Sequence, residues 1–159
     1  MSESTQPGGG TAGVIAYPPN VLGGAICAGL LLRWAWPQPL AGWPASLALG
    51  LLAGTASAAL ALWARRHFLA AGTPIHPGDA TTAIVTTGPY AWTRNPLYVA
   101  QGLLLVMAAG LSNSAAVLAM LVPWAGVIRF GVIAREERYL AERFGETYRS
   151  YRSRVRRWL

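Results

Sequence analysis

The sequence predicts an all-α, polytopic membrane protein of about four transmembrane helices with a C-terminal amphipathic helix. Three observations carry that expectation. Hydrophobic residues make up 53% of the 159 residues and charged residues only 12%, against about 25% charged in soluble domains. The charge is segregated: between Ser2 and Ala64 stand only Glu3 and Arg33, whereas Arg135 to Arg157 holds eight arginines and four glutamates. Long apolar stretches alternate with short polar breaks.

Taken in order, residues 1–13 are rich in Ser, Thr, Gly and Gln and read as a disordered tail with no basic leader segment. Residues 14–159 then form one integral-membrane domain. The first span begins at Val14 or Val21 and ends at Trp36, with Pro18-Pro19 near its entry. The second, Ala41 to Trp63, contains no charge and is long enough to cross a ~30 Å hydrocarbon core. Within it Gly50, Gly54 and Ala58 recur every four residues, a small-residue face suited to close helix packing. The third span, Leu97 to Leu111, and the fourth, Ala115 to Ala134, are separated only by Ser112-Asn113-Ser114, which forces a helical hairpin.

Four crossings return the chain to the side on which it began. Arg65, Arg66, Arg94 and the arginine-rich tail share that side, against Arg33 on the other. The positive-inside rule makes it cytoplasmic, in a plasma or inner membrane. A net charge of +7 raises nucleic acid as a partner. Most of the arginines flank apolar spans, however, and anionic membrane lipid accounts for them, so no nucleic acid is expected. The one cysteine, Cys27, lies in an apolar run, which excludes a disulfide framework and suggests packing.

Two segments carry chemistry. The polar connection after Arg65-Arg66-His67 ends in Thr87-Gly88-Pro89-Tyr90-Ala91-Trp92-Thr93-Arg94-Asn95-Pro96-Leu97-Tyr98. Gly88-Pro89 marks a turn, Pro96 suits the first turn of a helix, and Asn95 before it is a candidate N-cap. His67 and His76 lie near this loop and read as polar loop residues rather than as a catalytic base. At the end of the fourth span, Glu136-Glu137 precede Leu140, Phe144, Tyr148, Tyr151 and Val155, an amphipathic stripe with a candidate break at Gly145. The glutamates have a plain alternative, pairing with Arg138 and Arg143. Because spans three and four are antiparallel, the spacing places Asn95 and Glu136 at one depth, so the loop and the carboxylate pair converge.

Together these two blocks resemble the isoprenylcysteine carboxyl methyltransferase family, which is related to the membrane phospholipid N-methyltransferases. The resemblance rests on Gly88-Pro89-Tyr90, Arg94-Asn95-Pro96 and Tyr98, followed by Glu136-Glu137, Leu140, Phe144-Gly145, Tyr148, Tyr151 and Val155. It covers about residues 72–157, the catalytic half of the domain. It implies S-adenosyl-L-methionine as cofactor and a lipid-like or prenylcysteine-like methyl acceptor entering from the bilayer. It also implies that Ile84, Val85, Tyr90, Arg94, Asn95, Pro96, Leu97, Tyr98, Glu136 and Glu137 form the cofactor site, with no metal. Ala100 departs from a glycine common in the family, and Val132 from an arginine that grips the substrate in the eukaryotic enzymes.

Arg129 lies seven residues before Glu136, two α-helical turns along the same face. It is therefore the candidate for orienting an anionic acceptor, with snorkelling to the headgroups as the alternative. Two other classes stay open. The Arg-Asn-Pro-x-Tyr block also resembles membrane sterol reductases, which use NADPH, and a non-catalytic membrane adapter is a further reading.

Overall fold

The computed structural model describes residues 17–72 and 83–159; the N-terminal tail, Val14 and His76 lie outside them. Three helices open with proline in the first turn, where the missing N–H costs nothing. They are α1 (Pro18–Ala35), α2 (Trp43–Ala70) and α3 (Pro96–Leu111). A 3-10 turn, Gly88–Ala91, precedes α3. After the Ser112–Ser114 turn come α4 (Ala115–Ala119), α5 (Leu121–Val127), a π-helical turn (Ile128–Ile133) and α6 (Ala134–Arg154), a continuous helical stretch that runs on to a bend at Gly145. Among the described residues there is no strand, only one isolated parallel bridge between Thr93 and Arg156.

Hydrogen bonds between connections fix the arrangement as four antiparallel rods. Asn113, itself at φ 45°, accepts from the backbone N–H of Leu40 (3.0 Å) and of Ala41 (3.2 Å) through its Oδ1. The Ala115 N–H donates to Gln38 O at 3.1 Å. The α1–α2 and α3–α4 connections therefore lie together at one end. The 83–95 loop, the start of α3 and α6 lie at the other, with Arg65 and Arg66, while Arg33 is in the last turn of α1.

The expected small-residue face of α2 packs on α3 through Gly50 and Gly54, where a Cβ on Gly54 would lie 2.6 Å from Met107 Sδ, but it does not continue through Ala58. Its buried positions are Ser46, Gly50, Ala53, Ser57 and Ala64, and Ala58 is exposed. The four-residue spacing drifts around a helix of 3.6 residues per turn, so alternating spacings of four and three hold the contact with α3. There the backbones nearly touch: a Cβ on Gly110 would lie 2.5 Å from the Gly50 nitrogen. The Ser46 hydroxyl donates to Gly110 O (2.8 Å) and the Ser57 hydroxyl to Ala100 O (2.7 Å). Ala100 keeps this second approach close without glycine. On the other side of α3, Tyr98 and Leu105 pack with Leu22, Trp124, Ile128, Val132 and Ile133.

The outward faces are apolar. Leu31, Leu52, Val122 and Phe130 are each at least 70% exposed, a surface that water does not tolerate over such lengths and a bilayer does. Two rods, Trp43–Ala70 and Ala115–Arg154, are long and apolar enough to cross a membrane. At 18 and 16 residues, α1 and α3 are shorter. Cys27 is on an outward face rather than in the packed interior.

Two irregularities position the site. The π turn takes up an extra residue relative to α-helix, which rotates the rest of the rod by about 100°. Farther on, Gly145 departs from helical geometry at φ 54°, ψ −126°. The expected break there is real, and it folds the remainder of α6 back toward the 83–95 loop.

Candidate functional site

The site is built at the junction of the loop, the start of α3 and the first turn of α6. Gly88 sets the loop: it has φ +60°, and a Cβ there would lie 2.4 Å from the His67 imidazole. His67 sits in the last turn of α2, and its Nδ1 lies 3.0 Å from the Thr87 hydroxyl. The loop then packs Val85 and Tyr90 against Ala64, Phe68 and Leu97. Ile84 is half-buried next to Val85, and Pro96 is buried.

Tyr98 crosses from α3 to α6, and its hydroxyl donates to Glu136 Oε1 at 2.7 Å. The Tyr90 hydroxyl, buried and without a partner, lies close enough for the Glu136 charge to raise its pKa, after burial and Tyr151 have done so. Glu136 lies beyond Ala134, the last residue of the apolar run. Burial pushes its carboxyl above the ordinary range, the Tyr98 bond lowers it, and Glu137 raises it again. No arginine forms an ion pair with Glu136 among the described residues. A half-buried carboxylate bonded to a phenol, beside an unsatisfied phenol, is an arrangement that favours a cationic, hydrogen-bonding guest.

Glu137 has a different environment. The Arg94 Nη2 donates to its Oε1 at 2.9 Å, Arg157 Nε to the same oxygen at 3.0 Å, and Arg157 Nη2 to its Oε2 at 2.6 Å. The bonded carboxylate in turn raises the Arg157 pKa. The side chains of Glu137 and Arg94 are 7% and 8% exposed. Glu137 is thus bonded by Arg94 and Arg157, because the bend at Gly145 brings the tail back over the first turn of α6.

Asn95 is at the N-cap position of α3, but its side chain makes no capping bond. Its Nδ2 donates instead to Arg157 O at 2.8 Å. Arg129 is on the exposed side of its helix, its guanidinium 5.5 Å from the centre of the Phe130 ring. The expectation that it shares a face with Glu136 assumed seven regular α-helical residues. The intervening π turn shifts the phase by about one residue and turns Arg129 outward. The structure therefore gathers Ile84, Val85, Tyr90, Arg94, Asn95, Pro96, Leu97, Tyr98, Glu136 and Glu137 at one end of the bundle and leaves Arg129 out.

Buried polar atoms also occur at residues that sequence reasoning passed over. The Tyr139 hydroxyl, Gln101 Oε1 and Trp124 Nε1 have no hydrogen-bond partner. Tyr139 stands three residues after Glu136 and Gln101 three after Tyr98, so each shares a helix face with one member of the central pair. That spacing was readable, but nothing in it distinguished these side chains from packing residues.

Comparison with known proteins adds a decisive match: the phospholipid methyltransferase family model aligns with residues 45–147. The chain belongs to the phospholipid methyltransferase family. This shows it to be a membrane methyltransferase in general, in agreement with the resemblance carried by its two motif blocks. An uncharacterized protein of Haemophilus influenzae is 52% identical over 42 residues, 23% of this chain and 67% of that one. The cobalt-zinc-cadmium resistance protein CzcN of Cupriavidus metallidurans is 31% identical over 116 residues, 72% of this chain. The chain spans about half of CzcN, the match covering 48% of that protein. No solved structure gives a significant match.

Proposed function

We propose that this phospholipid methyltransferase family member transfers a methyl group from S-adenosyl-L-methionine to a lipid-like or prenylcysteine-like acceptor drawn from the bilayer. The observation that carries the reading is the Tyr98–Glu136 bond (2.7 Å) beside the unpartnered Tyr90 hydroxyl. When bound, the cofactor supplies an electrophilic methyl on a sulfonium cation.

The residues present fit that group. Glu136 offers a carboxylate, which attracts a cation and accepts from an amine or hydroxyls. Tyr98 fixes the orientation of that carboxylate, and Tyr90 offers a hydrogen bond that no protein group takes. At the start of α3 the Tyr98 and Val99 N–H groups already donate to Asn95 O, so the helix offers a carboxylate the Leu97 N–H and its positive dipole end. Leu97, Val85 and Ile84 shield the site from water. For a reaction of this kind the protein mainly supplies orientation and a dry environment. In this reading Arg94 and Glu137 shape the site from behind rather than touching the cofactor.

The reading also puts all four rods across the membrane, with the site and both ends of the chain on the cytoplasmic side. Arg65, Arg66, Arg94 and the α6 arginines lie at one end of the bundle, which supports this by the positive-inside rule. The test uses the full chain in lipid nanodiscs with methyl-labelled S-adenosylmethionine and bacterial lipid extract. Label appearing in the lipid fraction supports the reading. A protein that binds NADPH and not S-adenosylmethionine, or neither, overturns it.

A further inference from the structure

The polar contacts of the loop before α3 converge on one segment. Tyr90 O accepts from the Tyr151 hydroxyl at 2.7 Å. The Thr93 hydroxyl donates to Arg157 O at 3.2 Å, and the Arg94 N–H to Arg156 O at 2.9 Å. Arg94 Nη1 reaches Arg152 O at 2.9 Å, and Asn95 Nδ2 reaches Arg157 O at 2.8 Å. Three consecutive loop residues are thus tied to 152–157 through both backbone and side chains. The strap is in turn anchored to the first turn of α6 by the forked Arg157–Glu137 pair. Trp158, just beyond, packs against the bundle core.

We propose that residues 151–157 are a strap that sets the cofactor loop, and that Glu137 and Arg157 are positioning residues acting through it without touching the cofactor. The inference rests on the proposed function for its affinity readout, and its structural readout is independent of it. The reason is geometric. Glu136 and Glu137 are adjacent in one turn, so they diverge by about 100° around the helix. Glu136 is bonded to Tyr98 of α3, while Glu137 holds the strap that holds Thr93, Arg94 and Asn95. Tyr90 and Tyr98 flank those three residues, so the clamp fixes the spacing of the two phenols about the Glu136 carboxylate. The fork demands arginine, since an ammonium cannot span both carboxylate oxygens in one plane. The bend at Gly145, φ +54°, is what lets the strap return.

The test compares Arg157→Gln, Arg157→Lys, Glu137→Gln and the Glu137→Gln/Arg157→Gln double variant, each as the full chain in nanodiscs. Two quantities are read: amide hydrogen exchange across 90–95, and the Kd for S-adenosylmethionine beside the KM and kcat of methyl transfer. The strap predicts faster exchange at the Arg94 amide in all four. It also predicts a Kd and KM raised about tenfold with kcat at saturation little changed, and a double variant no worse than the worse single one. Arg157→Lys should restore folding yield without restoring affinity. Unchanged exchange at Arg94 overturns the strap, as does a double variant whose loss is the product of the single losses. Wild-type protein that fails to bind S-adenosylmethionine sinks the functional reading, while the exchange measurement still decides the strap.

Discussion

Glu136 and Glu137 are neighbours in the first turn of α6, yet they belong to different regions of the molecule. Glu136 faces the α3–α6 seam, where its partner is the neutral Tyr98 hydroxyl and a second phenol stays unsatisfied. Glu137 faces the junction of loop and tail, where three charge-assisted bonds from two arginines use both its oxygens. The second region is a structural clamp in which both carboxylate oxygens are taken. The first is less complete: a half-buried carboxylate bonded to a neutral phenol, beside a second phenol with no partner. The difference teaches that burial alone does not mark a functional acid; what matters is whether the protein has already satisfied it.

The largest expected effect sharpens the contrast from the structural side. Glu137→Ala leaves Arg94 and Arg157 facing each other with no anion between them. It should destabilise the fold by about 3 kcal/mol, in the range measured when one partner of a buried pair is removed. Thermal unfolding in nanodiscs reads this, and a change below about 1 kcal/mol would return Glu137 to the solvated surface.

Next comes the pH dependence carried by Glu136, whose carboxyl sits above its ordinary 4.5. From 4.5 up to the raised value the folded protein binds more protons than the unfolded chain. Stability should therefore fall as pH rises through that window. A cation bound at the carboxylate favours the ionised form, so cofactor binding should tighten with pH and release a proton. Calorimetry in buffers of different ionisation heat detects that proton, and Glu136→Gln should abolish both slopes.

Smaller again is Tyr98→Phe, which removes one hydrogen bond to the carboxylate. It should weaken S-adenosylmethionine binding about fivefold, or about 1 kcal/mol. An unchanged Kd would mean that the seam does not orient Glu136 for the ligand. The smallest effect belongs to Arg129→Ala. With the guanidinium exposed over Phe130, methyl transfer should be unaltered within error and stability within about 0.5 kcal/mol.

Much of this was legible in the sequence because it rests on local rules. Proline in the first turn marked the start of α3, Ser112-Asn113-Ser114 marked the hairpin, and Gly145 marked the bend. The convergence of the loop with the carboxylate pair followed from hairpin arithmetic alone. What escaped depends on contacts between distant residues or on a departure from regular geometry. Arg157 is one of eight arginines in the tail, and only the fold shows that it reaches back 20 residues to Glu137. Asn95 carries the composition of an N-cap, but a carbonyl of the strap captures its side chain. Arg129 was aligned with Glu136 by counting 3.6 residues per turn across a stretch that is π-helical. The α2 stripe keeps Gly50 and Gly54 against α3 but continues through Ser57 rather than Ala58 for a related reason: a fixed spacing of four does not match the helical repeat.

The central claim is that the seam carboxylate, not its neighbour, receives the methyl donor. Titration of S-adenosylmethionine into wild-type and Glu136→Gln protein, with unfolding temperatures measured on the same samples, tests it most directly. The expected result is a Kd at least tenfold weaker in the variant, about 1.5–3 kcal/mol for a lost charged acceptor, in protein no less stable than wild type. Equal Kd values in two equally folded proteins would contradict it.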